Sequence, residues 1–221
     1  MKLYGYWRSS AAYRVRIALH LKNVAFDNVP VHLVKDGGEQ HQDEYVKLNP
    51  THLVPTLVDQ VTLPDGSSEE LVLNQSIAIL DYIEQKHPGN AIYPDNVIDK
   101  AKVQAMALDI ACEVHPLNNL RVQQYLAKSL SVNDEDKLAW SHHWMAQGFA
   151  ALEKTLAKCA GKFCYADTVS LADICLVPQV YNARRFNLDM SPYPIICKIV
   201  DNCNALDAFQ KALPENQPDA T

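Results

Sequence analysis

Near residue 90 the patterning of this chain changes character, and that change limits the folds open to it. Before it, short apolar runs alternate between strand and helix periods; after it, only long helical patterns follow. Lys2 to Trp7 reads as a strand leading into a helix that ends near Lys22, and Phe26 to Leu33 reads as a second strand. Lys35-Asp36-Gly37-Gly38 is a turn, and a short helix over His41 to Lys47 is broken by Asn49-Pro50. Val54-Pro55 opens an apolar strand to Val58, and the Pro64-Asp65-Gly66-Ser67 turn returns the chain as a partner strand, Glu70 to Leu73. From Gln75-Ser76 a helix carries Ile77, Ile79, Leu80 and Ile83 on to about Lys86. The order β-α-β-α-β-β-α predicts a small α/β domain on a mixed sheet.

His87-Pro88-Gly89-Asn90 to Pro94-Asp95 is rich in breakers and marks a boundary. The expected organisation is a first domain over 1–87, a linker over 88–97 and an all-helical domain over 98–221. Helices are expected at about 98–128, 134–158, 170–185, 193–203 and 205–212. Ser170 and Asp173 have the spacing of a reciprocal helix cap, so Asp173 reads as a fold element. Pro214 to Thr221 is polar and is expected to fray.

A net charge of −6 argues against a nucleic-acid partner, which demands a basic face. No basic segment followed by an apolar stretch opens the chain, and no apolar run reaches the length of a membrane span, so a cytoplasmic protein is expected. Cys112, Cys159, Cys164, Cys175, Cys197 and Cys203 contain no C-x-x-C pair and read as free thiols, mostly buried. Cys112 with His115, and His142 with His143, lack two further ligands, and no metal site is expected.

Three places can carry chemistry. Behind the first strand stands Trp7-Arg8-Ser9-Ser10-Ala11-Ala12-Tyr13-Arg14. Ser9 or Ser10 can simply cap the helix. The same geometry aims a hydroxyl, free N–H groups and the positive end of a helix at one point, a place for an anion such as a thiolate. Val54-Pro55 is the second place: most such bonds are trans, but a residue before a cis proline can offer its backbone to a peptide as an added strand does. Gln75-Ser76 is the third, either a plain cap or a seat for a carboxylate. Together the three fit a tripeptide thiol, with its cysteine at the first and its glutamyl carboxylate at the last.

On these residues the chain resembles the zeta class of cytosolic glutathione transferases. That class carries Ser-Ser-Cys-x-Trp-Arg-Val-Arg-Ile-Ala-Leu where this chain has Ser9-Ser10-Ala11-Ala12-Tyr13-Arg14-Val15-Arg16-Ile17-Ala18-Leu19. Further matches are Lys35-Asp36-Gly37-Gly38, Leu48-Asn49-Pro50, Val54-Pro55-Thr56-Leu57, Gln75-Ser76 and His115-Pro116-Leu117-Asn118-Asn119. Later ones are Asp173 to Val180, Ala183-Arg184-Arg185-Phe186 and Ser191-Pro192-Tyr193-Pro194, so the likeness spans nearly the whole chain.

The resemblance implies a thioredoxin-like domain followed by a helical bundle domain, a homodimer, and glutathione as cofactor. It implies cis–trans isomerisation of the dicarboxylate maleylacetoacetate to fumarylacetoacetate by reversible thiolate addition. Maleylpyruvate is the alternative substrate; a general transferase or peroxidase, or a non-catalytic binding module, are the rival readings. It assigns catalysis to Ser9, Ser10, Arg8 and Arg185. Glutathione would be held by Ser9, Ser10, Gln40 at its glycyl end, Val54 and Pro55 at its cysteinyl backbone, and Gln75 and Ser76 at its glutamyl end. His115 and Asn119 would approach it from the second domain.

Arg8 and Arg185 have a plainer alternative as exposed, ion-paired arginines, against which stands the match of an Arg fork to a carboxylate. Arg14, Arg16 and Arg184 are assigned to structure or solvent. One departure is clear: Ala11 stands where the class has cysteine, and Tyr13 where it has Trp. A cofactor that brings its own thiol leaves the isomerase reading intact.

Overall fold

A computed structural model describes the whole chain, Met1–Thr221. It divides into two compact units, Met1–Asn90 with Asp207–Thr221, and Ala91–Leu206. The sequence reading places 207–221 with the helical domain; in the structure that segment groups with the first unit.

In the first unit β1 (Lys2–Gly5), α1 (Ser10–Leu21), β2 (Asp27–Pro30), α2 (Asp43–Leu48), β3 (Thr56–Thr62), β4 (Ser68–Asn74) and α3 (Ser76–Lys86) follow the expected order. The sheet runs β2-β1-β3-β4, with β2 parallel to β1 and the other neighbours antiparallel. Leu3 and Leu57 from the sheet pack with Val15 and Leu19 of α1 and Ile79 and Ile83 of α3, all fully buried. Each such side chain contributes about 1.5–3 kcal/mol on leaving water, which makes this cluster the anchor of both helices.

The register decides where the site lies. Tyr4 pairs with Thr56, and Thr56 with Asn74. The end of β1, the start of β3 and the end of β4 therefore share one row. The turn into α1, the Val54-Pro55 step and the start of α3 must then emerge at one edge of the sheet. The end of β2 reaches that edge too, since Gly5 pairs with Pro30 and the Val31 N–H reaches the Gly5 carbonyl at 2.7 Å.

Lys22, at the end of α1, has a fully buried side chain paired with Glu84 at 2.6 Å. Its ammonium also donates to the carbonyls of His87 and Gly89 at 2.7 and 2.9 Å, fixing the segment after α3.

The second unit holds α4 (Val97–Leu108), α5 (Leu120–Lys128), α6 (Asp134–Cys159), α7 (Leu171–Arg185) and α8 (Pro194–Asn204). The single helix expected over 98–128 is interrupted. A wide π turn over Asp109–Val114 passes into a tight 3-10 turn over His115–Asn118, and Asn119 is extended. Pro116 has no N–H to continue a helical ladder. The Ser170 N–H and hydroxyl both donate to Asp173 Oδ2 at 2.8 Å, and the Cys164 N–H donates to Asp173 Oδ1 at 2.8 Å. Burial pushes the Asp173 carboxyl up, against these hydrogen bonds.

No helix is long and apolar enough to cross a membrane. All six cysteines are free thiols, but burial is less general than expected: Cys164, Cys175 and Cys203 are buried and Cys112 is exposed.

Candidate active site

Ser9 is the N-cap of α1, and its Oγ accepts the Ala12 N–H at 3.2 Å. The Ser9 N–H is spent on the Tyr6 carbonyl, and the Tyr13 N–H on the Ser9 carbonyl. The Ser10 and Ala11 N–H groups are left as the unmatched donors of the first turn. A hydroxyl that accepts as a cap can still donate its own hydrogen outward, so capping and anion binding coexist at Ser9. Ser10 is buried beside it. Arg8 is exposed, donates to the Tyr6 hydroxyl at 3.0 Å, and lies over the Trp7 ring with 4.5 Å to its centroid. It is exposed, as the plainer alternative expects, but makes no ion pair.

The Val54-Pro55 bond is cis. Pairing of β3 begins only at Thr56, and the Val54 N–H and C=O find no partner within the protein. Its flanks, by contrast, are fixed. Tyr45 donates to the Leu53 carbonyl at 2.6 Å and contacts Thr56 Oγ1 at 2.9 Å, while Asn49 Nδ2 lies 2.9 Å from both of those atoms. Burial pushes the Tyr45 hydroxyl up, keeping it a neutral donor. Asn49, read from sequence only as a helix breaker, is the hub of this support.

Gln75 precedes α3 with φ 67° and ψ 111°, and its side chain makes no cap bond. The plain capping reading of Gln75-Ser76 therefore fails. The Ser76 hydroxyl instead accepts from Arg14 Nη1 at 3.2 Å, which ties α1 to the start of α3 through a buried guanidinium. Gln40 sits in the 3-10 turn Glu39–His41, buried, with Nε2 directed at the Leu33 carbonyl at 3.4 Å. Its Oε1 is buried and has no partner. Gly38 adopts φ 101°, a backbone conformation that favours glycine, and a Cβ there would also push on the Gln40 amide.

The first unit thus brings Arg8, Ser9, Ser10, Gln40, Val54, Pro55, Gln75 and Ser76 to one sheet edge. From β1 across β3 to β4 is two strand spacings, about 10 Å. An extended tripeptide spans a similar length, about 10 Å at ~3.3 Å per residue. Unmatched donors at the starts of α1 and α3 can hold anionic groups, the unpaired Val54 backbone between them can pair with a peptide, and the orphaned Gln40 oxygen can accept an N–H.

The second unit holds the remaining candidates. His115 opens the 3-10 turn, and the Asn119 side chain caps α5 by accepting the Arg121 N–H at 3.2 Å. Arg185, at the end of α7, donates Nη2 to Asn182 Oδ1 at 2.9 Å and lies 4.3 Å from the centroid of the Phe186 ring. Asn182 Nδ2 donates to Asn118 Oδ1 at 2.8 Å, and Asn118 Nδ2 donates to the Val114 carbonyl at 2.7 Å. His142 Nε2 holds the Phe186 carbonyl at 2.7 Å. Arg185 is thereby aimed from two sides, and a one-way chain of amides ties it to the turn bearing His115 and Asn119. Sequence reasoning missed this relay; paired buried Asn residues on separate elements have no periodic signal.

The N-terminal domain of the glutathione S-transferase family matches residues 1–85, and its C-terminal domain matches residues 122–207. The chain is 50% identical over 218 residues to a probable maleylacetoacetate isomerase of Vibrio cholerae, covering 99% of this chain and 97% of that one. It superposes with TM-score 0.91 at 40% identity, over 100% of both chains, on a holo structure of a maleylpyruvate isomerase described as a bacterial zeta-class glutathione S-transferase. A maleylacetoacetate isomerase from Methylobacterium extorquens AM1, solved with bound malonate and glutathione, superposes with TM-score 0.90 at 37% identity, again over 100% of both chains. With the sheet edge, the Ser-Ser helix start and these likenesses in agreement, the chain belongs to the glutathione transferase family, in its zeta class.

Proposed function

We propose that the protein binds glutathione and uses it to isomerise maleylacetoacetate to fumarylacetoacetate, a step in tyrosine and phenylalanine breakdown, acting as a cytoplasmic homodimer. The observation that carries this reading is the row of unmatched polar groups at one sheet edge: the Ser10 and Ala11 N–H groups, the Val54 backbone and the uncapped start of α3. Bound glutathione supplies a thiol whose reversible addition to one alkene carbon permits rotation and whose elimination restores the alkene.

The Ser9 hydroxyl and the first turn of α1 donate to the thiolate and lower its pKa. The Val54 N–H and C=O pair with the cysteinyl backbone as an added strand would, with Pro55 presenting them. Gln75 and Ser76, at the open start of α3, hold the glutamyl carboxylate. The free Gln40 oxygen is an acceptor, which suits the glycyl amide N–H better than the terminal carboxylate. His115 and Asn119 contact glutathione from the second unit. Arg8 and Arg185 bind the substrate carboxylates and stabilise the enolate charge. The malonate held by the Methylobacterium relative supports a dicarboxylate preference.

The likeness to a maleylpyruvate isomerase favours one second reading, the same chemistry on maleylpyruvate. The deciding experiment assays both substrates with and without glutathione while tracking free thiol. Isomerisation that requires glutathione and consumes none supports the proposal. Stoichiometric thiol loss indicates a transferase or peroxidase, and no turnover with glutathione binding indicates a binding module.

A further inference from the structure

Trp7 lies between β1 and the turn that carries Arg8 and Ser9, and distant residues take both of its backbone polar groups. Its N–H donates to Asp219 Oδ2 at 3.0 Å, and its carbonyl accepts from Arg16 Nη2 at 2.9 Å. Arg16 is 1% exposed, and its Nε donates to the Ala212 carbonyl at 3.1 Å, at the end of the short helix Asp207–Ala212. The last segment is itself held down. Gln217 Nε2 donates to the Lys211 and Leu213 carbonyls at 3.0 and 2.8 Å, and Gln217 Oε1 accepts from Asn28 Nδ2 at 3.3 Å. The tail expected to fray is therefore a clasp on the turn.

We propose that Asp219 is a positioning residue for the glutathione thiolate site, holding the Trp7–Ser9 backbone so that the Ser9 hydroxyl, the first-turn N–H groups and Arg8 face their targets. This rests on the glutathione reading above and deepens it. Two physical points support it. The Trp7 N–H has no other acceptor, so losing Asp219 frees the Tyr6–Trp7 peptide unit, two residues ahead of Ser9. The Arg8 guanidinium stacks on the Trp7 ring, so any rotation of Trp7 moves that cation as well. The hydrophobic cluster of α1, α3 and the sheet does not involve residues 217–221, so the clasp acts on the turn and not on the core. Misplacing a positioned group by about 1 Å can cost ~100-fold in rate, so a turn held from outside matters to the donors it carries.

The test compares Asp219→Ala, Asp219→Asn and Gln217→Ala with the unaltered full chain. The readouts are glutathione affinity by calorimetry, thiolate absorbance of bound glutathione at neutral pH, kcat and KM with the dicarboxylate, and the thermal midpoint. Asp219→Ala should lower the bound thiolate fraction and cut kcat about 10-fold, short of the ~100-fold that a full 1 Å misplacement costs. Glutathione affinity and the thermal midpoint should change little. Asp219→Asn, which keeps an acceptor oxygen, should recover most of the loss, and Gln217→Ala, which frees the tail by another contact, should reproduce part of it. An unchanged thiolate fraction and kcat in Asp219→Ala overturns the positioning role alone. So does a loss that Asn fails to rescue and that follows the thermal midpoint. Absence of glutathione binding by the unaltered protein overturns both this role and the function it rests on.

Discussion

Replacing Ser9 separates two roles that share one oxygen. The Ser9 hydroxyl caps α1 through Ala12, and removing such a cap costs about 1 kcal/mol, within a range of roughly 0.5–2. In a protein of this size that lowers the thermal midpoint by about 2–4 °C. Against a folding free energy of about 5–15 kcal/mol the Ser9→Ala protein stays almost wholly folded, so the cap cannot account for a large rate loss. Loss of one donor to a reacting anion costs about 10–1000-fold in rate, or roughly 1.4–4 kcal/mol. Ser9→Asp resolves the two effects further. Aspartate caps as well as serine and suits the positive helix end, so stability should be retained. Its charge beside the thiolate raises the thiol pKa, so the rate should fall below that of Ser9→Ala. Thermal melts, thiolate absorbance of bound glutathione and initial rates read all three quantities. The thiolate role is refuted if Ser9→Ala shows the expected drop in thermal midpoint while thiolate fraction and rate stay within about threefold of wild type, far inside the donor effect.

Other outcomes follow from the same geometry. Arg185→Ala should cost roughly 2–4 kcal/mol with the dicarboxylate substrate, against under about 1 kcal/mol for an exposed charge with no partner; rates with a neutral electrophile such as an aryl halide should hardly change. Asn182→Ala removes the acceptor that aims Arg185 and should reproduce part of that charged-versus-neutral difference, read as the ratio of the two kcat/KM values. Asp59 gives a pH signature. Burial favours its neutral form, but hydrogen bonds from Lys86 and Tyr82 outweigh that together and hold the carboxyl below the usual range. A lowered folded value means that its stabilisation is complete above the unfolded value of about 3.9 and is lost as pH falls through the folded one. Asp59→Asn should therefore lower the urea midpoint at neutral pH by an amount equivalent to about 1–3 kcal/mol, with the gap to wild type closing in acid.

What the sequence made legible was whatever repeats or breaks locally. Alternating strand and helix periods placed the four strands and three helices within residues 1–90, with boundary errors where pairing decides. β2 closes at Pro30, not at Leu33, because a proline cannot extend a ladder and the next segment is drawn aside by Glu39, whose carboxylate takes the His32 N–H at 2.6 Å. A breaker-rich stretch lies where the two units divide near residue 90, and the Ser170–Asp173 spacing marked the cap. The break at Pro116 was overlooked because the apolar pattern carries on past it. Long-range polar contacts were out of reach. Asp219 and Trp7 are 212 positions apart, and Asn118 and Asn182 are 64 apart; neither pair shows a spacing that marks it. Such groups meet only after the apolar cluster has fixed the elements, so their placement belongs to the fold and not to any segment.

The same distinction explains why Ala11 can occupy the position where the zeta class has cysteine. What the first turn of α1 offers an anion is mostly backbone: the Ser10 and Ala11 N–H groups and the helix end behind them, joined by one hydroxyl from Ser9. Those donors depend on helix geometry, which alanine supports better than any other residue, and not on the side chain at position 11. A cysteine there would add a second nucleophile beside the one glutathione brings, and only a weak S–H donor. The backbone of Trp7, just ahead of the proposed thiolate turn, is held by Asp219 and Arg16, and the proposed glutamyl seat Ser76 is held by Arg14. On the proposed assignments, alanine in place of the cysteine should leave isomerisation intact, whereas loss of any of these supports should disturb it.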